Sequence, residues 1–279
     1  MVLLADVRSG RLLPVTSADH GLVPGGVCLP ADGDLRAVAA VARHSGPVDL
    51  TPWDALGNDV VTHQRLTVAV DRIDAASAAA IGAFASALST AGNGPMSSRP
   101  QRRAARTLAA AAITDDLLAC HRHLGELVGA GPGSTPAGDD VVLGVLAAFD
   151  RAGARADRAA ALLRRALPSF WHRTTATSRH DLVAAVGGEF AERVHALLHA
   201  LSEHRRVLPA VQQARTWGAS SGLDLAAGVA AGALSTVGRS VVGHSVVGHS
   251  VVPAPLAPPT VPASRTDAFT RPATDRRSA

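Results

Sequence analysis

Two helical segments are joined by the stretch Gly131-Pro132-Gly133-Ser134-Thr135-Pro136-Ala137-Gly138-Asp139-Asp140, which holds more glycine and proline than a connection needs. No lysine follows its glycines, so it is not a P-loop, and Ser134 stands where the dinucleotide fingerprint has its third glycine. What remains is a loop of exposed main-chain N–H groups that leads into a helix, with Thr135 as the predicted N-cap and Pro136 as the first helical residue. Such a helix start can hold an anion, because the helix dipole and the unpaired donors both point toward it. The alternative is that the glycines only turn the chain and the aspartates cap the helix.

A second turn repeats the spacing of the first. The pattern Gly-x-Asp-x-x-x-Gly-Val occurs at residues 138–145 and again at 222–229. Hydroxyl residues precede both copies: Ser134 and Thr135 in the first, Ser220 and Ser221 in the second. Because an Asp and the Gly four positions later lie on one helix face, each unit offers a carboxylate above a bare backbone surface. We expect Asp140 and Asp224 to face one another across a cleft in a single site, although a Gly-rich and Ala-rich chain can repeat such a pattern by chance.

A third polar element lies at the start of a predicted helix, in the stretch Thr174 to Asp181. Its hydroxyl groups can simply cap that helix. The functional interpretation is a hydroxyl cluster in which Arg179 supplies a forked donor for a carboxylate or phosphate.

The 3.6-residue period of amphipathic helices recurs through most of the chain after position 100. The predicted helices are Arg102 to Leu127, Asp139 to Ala152, Asp157 to Ala166, Thr174 to Val186, Ala191 to Ser202 and Leu223 to Leu234. Hydrophobic residues make up 47% of the sequence but aromatic residues only 3%, so the core must consist of small aliphatic side chains that allow close helix packing. These features predict a mainly α-helical domain over residues 101–237.

Residues 1–95 have a different pattern, with short apolar stretches broken by Gly, Pro, Asp and Asn. The predicted elements are strands at Arg11 to Val15, Gly26 to Leu29 and Leu66 to Val70, and one helix at Ala75 to Leu88. The predicted fold class is therefore α+β, with a small β-rich N-terminal domain ahead of the helical domain. Residues 238–279 contain a pentapeptide repeat and then a Pro-rich segment, and we predict a low-complexity, disordered tail there.

The charge pattern argues against a nucleic-acid partner. The sequence pI is about 10.6 although the formal net charge is only +4, because every basic side chain is Arg and no Lys or Tyr titrates below it. These arginines alternate with acidic residues and form no basic stripe. Two cysteines are too few for a disulfide framework, and no apolar run approaches the ~20 residues that a bilayer requires. We expect a cytoplasmic protein that contacts neither nucleic acid nor membrane.

Together, the three polar elements resemble the family that contains the AllH-type subunit of oxamate carbamoyltransferase. The resemblance runs from roughly Leu124 to Val229 and is most specific in the Gly-Pro-Gly-x-Thr-Pro-x-Gly-Asp-Asp run. The Thr-x-x-Ser helix start at Thr175 and Ser178 and the Ser-Ser-Gly-x-Asp turn that begins at Ser220 support it. Members commonly carry His before the paired serines, whereas Ala219 occupies that position here.

The resemblance implies carbamoyl transfer from carbamoyl phosphate to oxamate, giving oxalurate and phosphate, in the degradation of allantoin-derived purine nitrogen. It also implies a hetero-oligomer with other carbamoyltransferase subunits, so that this chain need not be active alone. The Ser-Thr-Arg-Thr phosphate motif of ordinary carbamoyltransferases is absent. The expected catalytic residues are Asp139, Asp140, Asp224 and Arg179. The expected substrate-binding residues are Gly131, Gly133, Ser134, Thr135, Gly138, Thr175, Ser178, Ser220, Ser221 and Gly222.

In this scheme, the main chain of the first turn and Arg179 stabilise the phosphate and the tetrahedral oxyanion. Asp140 and Asp224 orient the amine or a bound cation. The substrate is a small carbamoyl or carboxylate compound, and no cofactor or metal is expected, with Mg²⁺ kept as an alternative.

Two other functions fit the same residues. One is a non-catalytic ligand-binding or assembly subunit whose turns contact a partner chain. The other is Mg²⁺-dependent hydrolysis by Asp139, Asp140 and Asp224, since hard carboxylate oxygens suit Mg²⁺. His195 and His199 lie one helical turn apart but lack the Glu of H-E-x-x-H, so we interpret them as a partly exposed helix face.

Overall fold

A small three-stranded sheet begins the chain. The computed structural model describes residues 1–5, 12–30, 33–44, 73–91 and 100–243, which all fall in the unit Met1–Ser245. Strand β1 (Val2–Ala5) pairs antiparallel with β2 (Leu12–Thr16), and Val2 lies opposite Val15. Strand β3 (Val27–Cys28) pairs parallel with β2. The strands predicted near residues 11–15 and 26–29 are therefore confirmed, while the strand predicted at Leu66 to Val70 lies outside the described residues.

Helices form most of the remaining described chain. They are α1 (Leu35–His44), α2 (Ala78–Ala91), α3 (Pro100–Ile113), α4 (Leu117–Leu127), α5 (Ala137–Phe149), α6 (Ala154–Ala166), α7 (Ala176–Val186), α8 (Glu192–Ala200), α9 (His204–Ala214) and α10 (Ser221–Gly243). Short 3₁₀ segments, Ala75–Ser77 and Leu167–Arg173, precede α2 and α7. The predicted α+β class, a small β-rich start followed by a mainly helical region, is confirmed. The division into domains at residues 95 and 101 stays a prediction, because residues 92–99 lie outside the described chain.

The helix predictions need three corrections. Helix α1 gives residues 1–95 a second helix, where only one was predicted. The single helix predicted from Arg102 to Leu127 is interrupted after Ile113, where Asp115 has a left-handed φ of 60°. Asp116 then caps α4 by accepting a hydrogen bond of 2.9 Å from the Ala119 N–H. A positive φ and an N-cap together end one helix and start another. Helix α9 was not predicted, and Pro209 lies inside it, a residue that normally argues against a helix interior.

The segment 17–26, between β2 and β3, forms a strap that lies on the helical region. The Leu22 N–H donates to Glu192 Oε2 at 3.0 Å, and the Glu192 N–H donates to the Leu22 carbonyl at 2.9 Å. Nε2 of His180 lies 2.8 Å from the carbonyl oxygen of Pro24. The N-terminal segment is thus fastened to the first turns of α7 and α8. Within the described residues, no helix is both long and apolar enough to cross a membrane.

Helix α5 is the centre of the core, and it packs directly along α10. Val141, Val142, Val145 and Leu146 are fully buried, and polar side chains occur in α5 only at its first turn, as expected for a helix that is covered all round. A methyl group built on Gly144 would lie 2.2 Å from the Leu225 carbonyl oxygen.

The contacts between α5 and α10 advance toward the C-terminal end of both helices together. A methyl on Gly228 would lie 2.1 Å from the Val141 carbonyl oxygen, and one on Gly232, a turn later, would meet Ala148. The two helices are therefore parallel, and their N-terminal ends lie together.

The close approach of α5 and α10 predicts that Gly144→Ala is destabilising. Its methyl group would meet the backbone of α10, which cannot move aside as a flexible side chain can, so we expect a loss of about 1–3 kcal/mol or more in the free energy of unfolding. The measurement is urea denaturation of the full-length protein.

Gly82→Ala is the matched control, because Gly82 lies inside α2 with nothing within 4 Å of the added methyl group. Helix propensity alone should make this variant more stable by up to about 1 kcal/mol. Equal behaviour of the two variants would contradict the packing assigned to Gly144.

Candidate active site

The two predicted turns meet at the N-terminal ends of α5 and α10. Oγ1 of Thr135 lies 2.9 Å from Oγ of Ser221, so the hydroxyl groups ahead of the two Gly-x-Asp units touch. The units face one another as expected, but in direct contact and not across a cleft. Gly144 and Gly228 serve the contact between the helices and are covered by it.

Gly138 and Gly222 each permit close backbone packing in their own turn. A methyl group on Gly138 would lie 1.9 Å from the Leu127 carbonyl oxygen, and one on Gly222 would lie 2.0 Å from the Ala214 carbonyl oxygen. In each case the glycine permits the new helix to begin against the final turn of the helix before it. These two predicted substrate-binding residues are buried, and close packing accounts for both.

Asp139 ties three segments together. Its Oδ1 accepts a hydrogen bond of 2.8 Å from the Gly129 N–H, and its Oδ2 accepts one from the Thr174 hydroxyl. Burial raises the pKa of Asp139, and hydrogen bonds from Thr174, Gly129 and Ser178 oppose that rise. With 2% of its surface exposed, Asp139 holds the loop before α5 against the segment that leads into α7.

Asp224 forms a buried ion pair with a residue that the sequence analysis did not select. Nε of Arg102, on α3, lies 2.7 Å from Oδ1 of Asp224, and their side chains are 4% and 0% exposed. Arg102 lies 122 positions away, so no local spacing points to it. The pair fixes the start of α10 on α3, and it leaves Asp224 inside the protein.

Asp140 differs from the other two aspartates because its charge is poorly compensated. It is half-buried, and its Oδ2 is buried with no hydrogen-bond partner among the described residues. Burial raises the pKa of Asp140 to about 8, and the nearby carboxylates of Asp224 and Asp139 add to this rise. A hydrogen bond from Ser221 and the positive charge of Arg193 act in the opposite direction and lower the pKa. A carboxyl group that titrates near neutral pH can both donate and accept a proton under physiological conditions.

The cation whose charge acts on Asp140 is Arg193. Arg179 is exposed on α7. The guanidinium carbon of Arg193 lies 5.7 Å from the ring centroid of Trp217, and Asp181 and Asp140 are the carboxylates that act on it. No regular spacing links residue 193 to either turn, so pattern reasoning had no signal for it.

The loop before α5 is the accessible part of this arrangement. Gly131, Gly133 and Ser134 are exposed, and the two glycines have φ values of +126° and +98°. The Thr175 hydroxyl donates to the Ser134 carbonyl at 2.6 Å and accepts from the Ser178 N–H at 3.1 Å. The third polar element therefore caps α7, which was the simpler of its two interpretations, and it also fixes the loop before α5.

The structure corrects the predicted cap of α5. Pro136 is the N-cap of α5 and makes no side-chain cap, because the Thr135 hydroxyl, the predicted cap, bonds Ser221 instead. Ser220 contributes its carbonyl, which accepts the Asp224 N–H at 3.0 Å.

The described residues contain no group of three or more His, Cys, Asp or Glu side chains placed to hold a metal ion. The Mg²⁺ alternative stays a prediction. His195, predicted to be partly exposed, is buried with its ring edge toward Phe190.

The buried ion pair predicts a large effect for Arg102→Met. This change leaves the Asp224 carboxylate buried without its cation, so we expect a loss of about 3–5 kcal/mol in unfolding free energy. Arg164→Met removes the cation from the half-buried Arg164–Asp150 pair, whose side chains are 26% and 24% exposed, and should cost about 1 kcal/mol. Similar losses in both variants, measured by urea denaturation, would contradict the role assigned to Arg102.

The raised pKa of Asp140 predicts a specific pH dependence. The folded state holds this proton more tightly than the unfolded chain does, so the contribution to stability is complete below about pH 4 and is lost as the pH rises through about 8. Asp140→Asn removes the titration. Relative to this variant, the wild type should lose stability between pH 5 and pH 9, as measured by urea denaturation at intervals of one pH unit.

Asp157→Asn supplies the control, since Asp157 is an exposed acidic residue in the first turn of α6. Its stability difference from the wild type should stay nearly constant over the same pH range. A constant difference for Asp140→Asn as well would show that Asp140 is not perturbed.

Comparison with known proteins identifies one family over the part of the chain that carries this site. Residues 127–233 match the family model described as oxamate carbamoyltransferase subunit AllH. No curated protein and no solved structure matches the chain. The matched range begins at Leu127, whose carbonyl group packs against Gly138. It contains Asp139, Asp140, Arg193 and Asp224. The resemblance seen in the sequence is thereby confirmed over residues 127–233.

Proposed function

We propose that this chain is a subunit of an oxamate carbamoyltransferase and that the joined N-terminal ends of α5 and α10 form its part of the active site. The observation that carries the proposal is the coincidence of the family match with the described geometry. The match covers both turns and every residue between them. Within that range lies Asp140, a carboxyl group whose burial and neighbours bring its pKa to about 8.

The proposed reaction forms a bond between the oxamate amide nitrogen and the carbamoyl carbon and breaks the bond from that carbon to phosphate. The nitrogen gives up one proton as the new bond forms. Asp140 in its ionised form is our candidate for the base that accepts this proton, because its pKa places both protonation states within reach near neutral pH. Phosphate leaves with the electrons of the broken bond.

The loop from Gly131 to Thr135 is the candidate for holding the anionic groups. It is exposed from Gly131 to Ser134, and two helices direct their N-terminal ends to the same place, where a developing negative charge is stabilised. Thr135, Ser220 and Ser221 add hydroxyl or carbonyl groups at the same junction. In this proposal Asp139 and Asp224 position the loop and α10 without touching the substrate.

Partner subunits belong to the same proposal. The family description names a subunit, and the loop that would bind substrate lies at the surface, where a second chain could complete the site. The proposal includes action in the cytoplasm on allantoin-derived nitrogen.

Asp140→Asn tests the proposal. The full-length chain is combined with its candidate partner subunits, and oxalurate formation from carbamoyl phosphate and oxamate is followed. Because the amide cannot accept the proton, we expect the rate of transfer to fall by a factor of roughly 100 or more, while the melting temperature at pH 7 does not fall.

Asp157→Asn is again the matched control and should transfer at the wild-type rate. Wild-type activity of Asp140→Asn in an active complex would refute the assignment of Asp140. Assembly of partner subunits around this chain, with full activity in both variants, would instead favour the non-catalytic assembly role.

A further inference from the structure

Arg193 is a half-buried cation held in place by its surroundings. It belongs to the first turn of α8, directly after Glu192, whose N–H and side chain are fixed by the strap. Its guanidinium lies 5.7 Å from the centre of the Trp217 ring, within the range of a cation–π interaction. Trp217 lies in the turn before α10, so Arg193 reaches from α8 to the junction of the two turns.

The carboxylates near Arg193 do not neutralise it directly. Asp140 and Asp181 act on its charge, but among the described residues Arg193 takes part in none of the ion pairs closer than 4.0 Å, namely Arg102–Asp224, His123–Glu126, Arg164–Asp150, Arg205–Glu203 and Arg206–Glu203. Burial also favours the uncharged form of Asp140 and of Asp181. An arginine with its fork unfilled in such a place is suited to bind an anionic ligand.

We propose that Arg193 binds the carboxylate of the acceptor substrate, a small dicarboxylic acid monoamide, and presents its amide nitrogen to Asp140; this inference rests on the proposed function. Three features converge to support it: the unfilled fork of Arg193, the buried Oδ2 of Asp140 without a partner among the described residues, and the parallel N-terminal ends of α5 and α10. An arginine fork matches the two oxygens of a carboxylate. The neighbouring carboxyl can then contact the nitrogen of the same small molecule.

The geometry also indicates the side from which a ligand reaches Arg193. On the side of the strap, the space lined by Pro24, Asp181 and Arg193 has a volume of about 10 Å³, enough for a single water molecule. On the side of Trp217, the following residues Gly218 and Ala219 are exposed. In this proposal the acceptor enters past the exposed turn at Gly218 and Ala219.

Binding of oxamate to the full-length chain tests this proposal without any need for turnover. Arg193→Met should weaken oxamate binding by about 10-fold or more, as expected for a lost charge-assisted contact, and Arg193→Lys should weaken it less, because the charge remains and the fork is lost. Arg205→Met is the control, since Arg205 is 84% exposed, and it should bind like the wild type. Titration calorimetry gives the affinities, and the tryptophan fluorescence, to which Trp217 contributes, should change on binding in the wild type.

Inorganic phosphate is the competing probe. If phosphate binds through Arg193 and oxamate does not, the carboxylate assignment is overturned. If Arg193→Met fails to fold, Arg193→Lys decides: unchanged oxamate affinity combined with an unchanged KM for oxamate in the active complex overturns the proposal.

The outcome for Arg193 is separable from that for the overall function. If the chain binds oxamate through Arg193 but its complex transfers no carbamoyl group, the role of Arg193 is supported and the proposed function is refuted. If the complex transfers the carbamoyl group with the same KM for oxamate in the wild type and in Arg193→Met, the proposed function is supported and the role of Arg193 is refuted.

Discussion

The backbone contact between Gly144 of α5 and Gly228 of α10 is the constraint on which the rest of the structure depends. A side chain at either position would have to occupy space within 2.2 Å of a carbonyl oxygen of the other helix. With glycine at both, two parallel helices approach closely enough for their first turns to share one small volume. The contact between Thr135 and Ser221 and the proximity of Asp140 to Asp224 follow from this approach.

Three aspartates in this volume have similar sequence surroundings but different environments. Asp139 is satisfied by hydrogen bonds from Gly129 and Thr174, and Asp224 is paired with Arg102. Asp140 has the least compensation for its burial, and its pKa is accordingly the one brought to about 8. The three carboxylates thus differ in the number of partners that each receives, and this number helps to set the pKa of each buried group.

The sequence was sufficient to predict the helical region, the two early strands and the meeting of the two turns, because each depends on local periodicity or on a repeated spacing. It was not sufficient for Arg102 and Arg193, since both reach the site from helices that no motif connects to it. Helix α9 was not predicted because Pro209 interrupts its helical sequence pattern. Thr135 was placed as a cap because a nearby hydroxyl is the usual cap of a helix, whereas tertiary contact with Ser221 prevails here.

The long sequence separations at this site affect the order of events in folding. Thr135 and Ser221 are 86 positions apart, and Arg102 and Asp224 are 122 apart, so closing these contacts costs more chain entropy than forming the local contacts of a helix. A nascent or partly unfolded chain would lack these contacts. Substrate affinity should consequently report on completion of the native state, and no isolated half of the region could be expected to carry it.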